Sequence, residues 1–345
     1  MRRPIYLRGA AMTAFGRHDA SPHDLARSAI LDAVKDAGLE LAGVQARASG
    51  VTGVHLACHA LQAGIHDTVV VFGAGRQTLA ADAAAPQRGN DAHEPDGPAR
   101  TARYAMHAAR YLREFNVDAQ VLGEVVVKNR CHGALNPLAQ NRQPVTIDEV
   151  MGSPVVYDPL TQLQCCSWQV DGAAALVLST QRPQGRAMPV RVLASAVQSG
   201  RLASGCDDIL GAGTTARAAR RAYEQAGVMP ADIDLVELHD TFSIAELTYY
   251  EALGLCGRGE AHELLRSGAT TLGGGVPVNP SGGLLAKGHP PAATGVAQLV
   301  ELAWQLEGRA GERQVTGAAL ALAQCVESGA AGVDQATAAV HILGF

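Results

Sequence analysis

The chain is poor in aromatic residues and has no long apolar run. Aromatic side chains make up 4% of its 345 residues, whereas glycine and alanine are abundant. Small side chains favour close packing of helices on sheets. No apolar stretch reaches the roughly 18–20 residues that a membrane-spanning helix needs, so no membrane span is predicted.

Positive charge and clustered cysteines are also lacking. The net charge of −5 gives none of the basic character expected of a nucleic-acid-binding protein. The seven cysteines are scattered and form no C-x-x-C motif, which argues against a disulfide framework and against a zinc site. The basic N-terminus has no apolar core of a secretory signal. We therefore expect a cytoplasmic protein with reduced thiols.

What the sequence does contain is an alternation of apolar strands and amphipathic helices, which predicts an α/β fold. Residues 24–39 and 216–228 are both Ala-rich helices that end in Ala-Gly and an aliphatic residue. This echo suggests two homologous halves, with chance similarity in Ala-rich sequence as the alternative. Strands are predicted at 5–13, 68–72, 173–179, 190–196, 233–238, 318–325 and 338–343, and helices at 21–35, 53–63, 99–115, 119–129, 214–226, 243–252 and 294–306.

Three segments of the second half carry residues suited to acid–base chemistry. His239 follows a predicted strand in Val236-Glu-Leu-His-Asp-Thr-Phe-Ser, at the strand end where α/β sheets place ligands. His289 lies in Gly-His-Pro just before a helix, where the local positive field favours a neutral imidazole and hence a general base. Cys325 ends an apolar strand, where a thiol can exchange protons if its pKa is lowered. Each residue also has a purely structural alternative. His239 could be an ordinary loop histidine, His289 could be part of a tight turn, and Cys325 could be a small core residue.

The order of these segments resembles the thiolase superfamily, in particular its sterol-carrier and lipid-transfer branch. The resemblance rests on Val278-Asn-Pro-Ser-Gly-Gly, Gly288-His-Pro, Ala293-Thr-Gly and the His239-Asp segment. Further matches are Gly9-Ala-Ala-Met-Thr-Ala-Phe-Gly-Arg, Val127-Lys-Asn-Arg, Asp158-Pro-Leu, Cys165-Cys166 and Asp171-Gly-Ala-Ala-Ala. They extend over nearly the whole chain.

The resemblance implies a fold and a domain organisation. Two homologous βαβαβαββ halves are expected in a layered α/β/α/β/α arrangement. The first half would span residues 1–185, with an inserted loop domain at about 77–165. The second half would span residues 186–345.

The resemblance also implies roles for individual residues. His289 maps onto the basic histidine of the family, His239 onto its oxyanion-hole residue and Cys325 near its acid–base cysteine, although Glu327 and Ser328 interrupt the expected glycine run. Asn279, Ser281, Gly282 and Gly288 are predicted to contact the substrate and its CoA. Coenzyme A enters only as part of the substrate, so no bound cofactor and no metal is expected.

The nucleophilic cysteine of the family is missing. Its Cys-Ala-Ser-Gly turn aligns with Arg47-Ala-Ser-Gly, and an arginine side chain forms no thioester. About 11 residues separate Gly38 from Ser49, whereas about 54 separate the corresponding Gly227 and Ser281. The first half therefore lacks roughly 40 residues, enough for two strands and a helix.

Replacement of the nucleophile by another cysteine is not favoured by the sequence. Cys58 lies about three helical turns, on the order of 16 Å, beyond Arg47, and is expected in the core. Cys131 falls in the inserted region. Cys165 and Cys166 could line the pocket, but neither is predicted to act as the nucleophile.

Three functions stay open at this point. The first is an enzyme that makes or breaks a C–C bond beside an acyl-CoA thioester, as a thiolase-type acyltransferase or, without an acyl-enzyme, as a retro-aldolase. The second is a non-catalytic or defective subunit. The third is an ordinary thiolase whose cysteine region is absent from this version of the sequence. The resemblance further implies a homodimer or a hetero-oligomer with an OB-fold/zinc-ribbon subunit.

Overall fold

A computed structural model describes residues 3–78, 97–167, 169–185, 187–200, 210, 212–327 and 337–345. The strands are β1 (Tyr6–Met12), β2 (Ala46–Ser49), β3 (Thr68–Arg76), β4 (Val155–Tyr157), β5 (Leu160–Thr161), β6 (Asp171–Ser179), β7 (Arg191–Ser199), β8 (Leu235–Glu237), β9 (Leu320–Glu327) and β10 (Thr337–Gly344). The helices are α1 (Pro22–Asp36), α2 (Gly50–Gln62), α3 (Gly97–Glu114), α4 (Gln120–Ala134), α5 (Ile147–Met151), α6 (Gly213–Ala226), α7 (Ser243–Ala252), α8 (Ala261–Arg266), α9 (Gly283–Ala286) and α10 (Pro291–Leu306).

Eight strands form one hydrogen-bonded sheet in the order β2-β3-β6-β1-β7-β10-β9-β8. The first four strands come from residues 46–76, 6–12 and 171–179, and the last four come from residues 191–344. Between these groups, β1 and β7 share one register pair, Tyr6 with Arg191. The sheet is thus two four-stranded groups joined at one point. Both groups contain parallel and antiparallel neighbours.

The layers follow from the alternation of side chains along each strand. In the first group, Val70 and Val177 pack on α1, whereas the odd-numbered Val69 and Val71 face the cluster that contains α10. In the second group, Val340 and Ile342 share a cluster with α6, and Ala321 and Ala323 share one with α10. Helices α2 and α10 contact each other and strands of both groups. The predicted α/β/α/β/α arrangement of a thiolase-like fold is confirmed.

Local signals explain where the predicted elements begin and end. Ser21 accepts a hydrogen bond from the Asp24 N–H at the start of α1, and Pro22 occupies its first turn, as the sequence predicts. The predicted start of α2 at residue 53 was wrong by three residues. The fourth helix extends beyond residue 129 to Ala134. Helices α8 and α9 and the β4–β5 hairpin were not predicted, because each is short.

The first half is shortened between its second strand and its central helix. In the second half, 53 residues (238–290) separate β8 from α10. In the first half, β2 ends at Ser49 and α2 begins at the next residue. Because β2 pairs with β3 on one side only within the described residues, it forms an edge of the sheet.

The predicted division at residues 185 and 186 falls between β6 and β7, and it stays a prediction. The predicted insertion at 77–165 contains α3, α4, α5 and the β4–β5 hairpin, and its residues 79–96 lie outside the described residues. The glycine-containing segment 328–332 also lies outside them. In the described part of the chain, no helix is long and apolar enough to cross a bilayer.

Candidate active site

Three elements bring His239, His289 and Cys325 together. His239 follows β8, His289 precedes α10, and Cys325 lies in β9, which pairs with β8. The Cys325 Sγ lies 3.3 Å from His239 Nδ1. The two imidazole rings meet edge to face with centroids 5.1 Å apart. All three side chains are buried. Their proximity is a finding of the structure, whereas their catalytic roles stay predictions.

Both histidines are neutral in this environment. Burial, and secondarily the positive charge of Arg100, lower the pKa of His239 to about 3. Burial lowers the pKa of His289 well below its usual value, and His239 and Arg100 act in the same direction. The sequence predicts a neutral His289 from the helix N-terminus, but loss of solvent is the larger cause. Arg100, on α3, was not predicted as a site residue, because no local motif surrounds it.

The hydrogen bonds of His289 fix which nitrogen carries its proton. Its Nδ1 lies 2.7 Å from Thr294 Oγ1, and the same hydroxyl donates to the Pro290 carbonyl at 3.0 Å. Because the hydroxyl has one hydrogen, Thr294 must accept from His289 Nδ1–H. The lone pair of the ring is therefore on Nε2, which is the form that a general base requires.

The same reasoning applies to His239. The Cys325 thiol lies 3.3 Å from His239 Nδ1 and 3.9 Å from the Val326 carbonyl, so the shorter contact favours donation of its S–H to His239 Nδ1. Nε2 then carries the ring proton and can donate to an oxyanion. The His239 backbone N–H donates to Gln324 Oε1 at 3.0 Å, and the Gln324 Nε2 donates to Thr215 Oγ1 at 3.3 Å. Gln324 thus aligns the loop with β9, a role that the sequence did not reveal.

The glycine-rich turn before His289 is held by internal bonds. Asn279, at a φ of 53°, accepts from the Leu238 N–H through Oδ1 and donates to Glu246 through Nδ2. The backbone N–H and the hydroxyl of Ser281 both donate to the Glu237 carboxylate. These bonds hold the side chains of Asn279 and Ser281 within the turn. Their predicted contact with CoA stays a prediction.

Two glycines of this turn are required by its shape. Gly282 has a φ of 98°, and a Cβ there would lie 2.7 Å from the Gly133 Cα. Gly288 has a φ of 106°, and a Cβ there would come within 3.0 Å of Val170. Positive φ and lack of space both exclude a side chain. Gly282 and Gly288 therefore shape the loop, and their predicted substrate contact stays a prediction.

Asp240, next to His239, joins the two loops of the site. Its carboxylate accepts from the Leu284 N–H at 2.7 Å, the Leu285 N–H at 3.3 Å and the Asn129 Nδ2 at 2.8 Å. Burial and then the nearby Glu246 raise the pKa of Asp240, and the backbone hydrogen bonds oppose this increase. A Cβ at Gly283 would collide with the carboxylate, which explains the glycine.

A buried ion pair supports Asp240 from behind. Lys128 Nζ lies 2.6 Å from Glu246 Oε1 and donates to the Val278 carbonyl at 3.0 Å. Asn129 donates to both Asp240 and Glu246. Lys128 and Asn129 belong to the Val127-Lys-Asn-Arg match. The sequence therefore marked these residues as similar to the family, but it did not reveal that they support Asp240.

The shortened half contributes an apolar wall. Val51, in the first turn of α2, packs on Cys325, and both lie against Gly295 of α10. Arg47, the position aligned with the missing nucleophile, lies in the edge strand β2 with an exposed side chain. No described contact joins it to His239, His289 or Cys325. Val51, rather than Arg47, is therefore the residue of the shortened half that packs on Cys325.

In the described part of the chain, none of the cysteines that the sequence raises as replacements contacts His239 or His289. Burial raises the pKa of the Cys58 thiol to about 12, so it stays protonated. Cys131 is exposed on α4. Cys165 pairs with Phe242 and the Cys166 N–H donates to the Thr241 carbonyl, so both run beside the segment that follows His239. No described bond links their thiols to the two histidines.

Known proteins resemble both the sequence and this structure. Residues 195–344 match a family model described as "Thiolase C-terminal domain-like". The chain is 34% identical to "Benzoylsuccinyl-CoA thiolase subunit BbsB" of Thauera aromatica, over 91% of this chain and 92% of that protein. It is 36% identical to an "Acetyl-CoA acetyltransferase" of Methanothermobacter thermautotrophicus, over 99% of each chain. It is 31% identical to "Sterol carrier protein 2" of Gallus gallus, over 100% of this chain and 73% of that protein.

A solved structure described as "Ltp2-ChsH2(DUF35) aldolase" matches with a TM-score of 0.84 and 26% identity, over 99% of this chain and 98% of that chain. The alignment with the archaeal protein runs over 385 positions, although this chain has 345 residues. At least 40 positions therefore have no counterpart here. This number agrees with the length that the spacing of the two halves predicts to be missing.

Proposed function

Because the chain belongs to the thiolase family, in its sterol-carrier and lipid-transfer branch, we propose that it is a retro-aldolase. Thiolase-type chemistry breaks or makes a C–C bond beside an acyl-CoA thioester. One observation carries the choice of retro-aldol cleavage. The acid–base residues lie together, whereas the shortened half packs an apolar Val51 on Cys325 and leaves Arg47 exposed.

The reaction needs a base and an oxyanion donor but no acyl-enzyme. His289 Nε2 accepts the proton of the β-hydroxyl group, and the Cα–Cβ bond breaks as that oxygen forms a carbonyl. The electron pair moves onto the thioester as an enolate, whose oxygen accepts a hydrogen bond from His239 Nε2–H. A proton returned to Cα completes a shorter acyl-CoA and a ketone or aldehyde. The hydroxyl proton balances this last step, so no further reactant is consumed.

The proposed proton return involves either His289 or Cys325. Protonated His289 still carries the hydroxyl proton after cleavage. Alternatively, the Cys325 thiol gives its proton to Cα and is reprotonated through His239, which lies 3.3 Å away. In both routes the buried site excludes water from the enolate.

We also propose that the substrate is a CoA thioester bound without any separate cofactor, and that the protein works in the cytoplasm with a partner subunit. One relative is named as a subunit, and the matched aldolase structure is described as containing a DUF35 protein. An OB-fold/zinc-ribbon subunit is the expected partner, and a homodimer is the alternative. Co-expression with such a subunit, followed by size-exclusion chromatography, distinguishes a hetero-oligomer from a homodimer.

Two substrates test the proposed reaction directly. The protein, with and without an OB-fold/zinc-ribbon subunit, is incubated with a β-hydroxyacyl-CoA, and separately with a β-ketoacyl-CoA plus CoA. Cleavage of the first substrate alone is expected. Turnover of the β-ketoacyl-CoA alone would contradict the retro-aldolase proposal and favour thiolysis.

The competing function is a non-catalytic subunit. The exposed Arg47, the edge strand β2 and the short connection to α2 favour it. It predicts no turnover of either substrate and no difference between the parent protein and a His289→Ala variant. Sequencing the gene across codons 38–50 decides whether the missing stretch is a genuine property of the protein.

A further inference from the structure

Two histidines lie one turn apart on α2, away from the candidate active site. His55 Nε2 and His59 Nε2 are 3.1 Å apart, and the rings meet edge to face with centroids separated by 4.4 Å. His59 is exposed and His55 is half-buried. Residues four apart share one face of a helix, which explains why the two rings meet. The proposed reaction uses neither residue.

The separation of the two nitrogens suits a single metal ion. Zinc–imidazole bonds are about 2.0–2.1 Å long. Two nitrogens 3.1 Å apart, each at that distance from one ion, subtend an angle of about 98° at the metal. This angle lies between the octahedral and tetrahedral values. The distance between the two nitrogens is therefore compatible with both binding one ion.

A second contact orients the inner histidine. His55 Nδ1 lies 2.9 Å from the Ser195 hydroxyl of β7. Histidine ligands of metals usually form such a bond through the other ring nitrogen, because it fixes the tautomer and the direction of the ring. Ser195 thus directs His55 Nε2 toward His59. The hydroxyl belongs to the second group of strands, so the pair also links α2 to that group.

The charges around the pair permit a cation but limit its affinity. Burial, and then His59, lower the pKa of His55, so its ring is unprotonated at neutral pH. Arg221 adds a smaller effect of the same sign, and its positive charge opposes a bound cation. Among the described residues, no third His, Cys, Asp or Glu completes a metal-binding group. Water would therefore occupy the other coordination positions.

We propose that His55 and His59 form a binding site for one divalent transition-metal ion, with Ser195 as a positioning residue. Two imidazoles suit copper, nickel and zinc, and the affinity order for such ligands rises from nickel to copper. The ion would join two turns of α2, whose start packs on Cys325. The alternative is that the two rings bind no metal and form a direct hydrogen bond with each other.

Titration calorimetry with Ni²⁺ tests this site. The full chain is used without a polyhistidine tag and with Cys131→Ser, which removes an exposed thiol. We expect one Ni²⁺ per chain in the parent. His59→Gln should weaken binding at least tenfold, and Ser195→Ala should weaken it less. His66→Gln is the matched control, because His66 follows the same helix but has no described contact with the pair.

Circular dichroism and thermal unfolding show whether each variant is folded. An increase in Tm with Ni²⁺ that is present in the parent and His66→Gln, but absent in His59→Gln, would support the site. Absence of binding in the parent would overturn the proposal. Equal Ni²⁺ affinity of the parent and His59→Gln would overturn it as well.

Discussion

In the proposed mechanism His289 acts as a base only while its imidazole is neutral, and its surroundings keep it neutral. Burial lowers its pKa well below 6.5, and Thr294 holds the proton on Nδ1. Retro-aldol activity should therefore persist from about pH 8 to about pH 5.5 without loss of the base. His289→Asn should reduce kcat/KM by about 10²–10⁴. Steady-state cleavage of a β-hydroxyacyl-CoA over that pH range measures both effects.

His66→Asn is the control for His289→Asn, because it alters a histidine outside the site. An activity that falls with a midpoint near pH 6.5 would show that the base is solvated and not buried. Retention of full activity by His289→Asn would remove this residue from the mechanism.

Asp240 allows a test of the hydrogen bonds that join the two loops of the site. Its three partners are all N–H donors, so an amide at this position would point its own NH₂ group at Leu285 or Asn129. We expect Asp240→Asn to lower the free energy of unfolding by about 2–4 kcal/mol, because buried donors would lose their acceptor. Urea denaturation measures this change, with the exposed Asp148→Asn as the control. Unchanged stability would show that one oxygen of Asp240 already carries a proton.

At the scale of elements, α2 separates the position of the missing cysteine from the site. The sequence alignment places that position at Arg47, whereas the residue that packs on Cys325 is Val51 of α2. A cysteine at position 47 would lie on an exposed edge strand. The short connection between β2 and α2 is the physical reason, because it leaves no residues to bring position 47 inward.

Arg47→Cys should therefore create a reactive thiol without creating a thiolase. In a Cys131→Ser background, we expect fast labelling of the new thiol by a soluble thiol reagent, because a solvated thiol ionises readily. After incubation with a β-ketoacyl-CoA, intact-mass spectrometry should show no acyl adduct. The Cys131→Ser protein alone is the control. An acylated Arg47→Cys chain would place this position in the active site.

Much of this architecture could be predicted from sequence, because period-2 and period-3.6 patterns are local. The strand Thr68–Arg76 and the helix Ser243–Ala252 follow such patterns. The candidate residues could be selected for the same reason, since turn glycines and histidines surround them. The roles of Gln324, Arg100 and Val51 could not be predicted, because each depends on contacts with residues far away in sequence. The α2 start was misplaced because Gly50 at a positive φ permits an early helix start that propensity disfavours.

At the scale of the whole molecule, buried histidines make stability depend on pH. Burial lowers the pKa values of His132, His239 and His341 to about 3. In the unfolded chain these groups bind protons below about pH 6.5. Their contribution to stability is therefore fully present above that pH and is lost as the pH falls toward 3. Well below pH 6.5, each group costs about 1.4 kcal/mol per pH unit. The raised pKa of the buried Glu237 opposes this loss, because the folded carboxyl binds its proton first.

His341 isolates one of these contributions, because neither of its ring nitrogens has a hydrogen-bond partner in the described structure. His341→Leu should leave stability at pH 7 unchanged or increase it, since no hydrogen bond is lost. Between about pH 6.5 and 5.5, the variant should lose about 1 kcal/mol less than the parent. Urea denaturation at both pH values measures this difference, with His66→Leu as the control. If His341→Leu and the parent lose the same free energy, His341 titrates normally in the folded protein, and the acid sensitivity must arise from the other buried histidines.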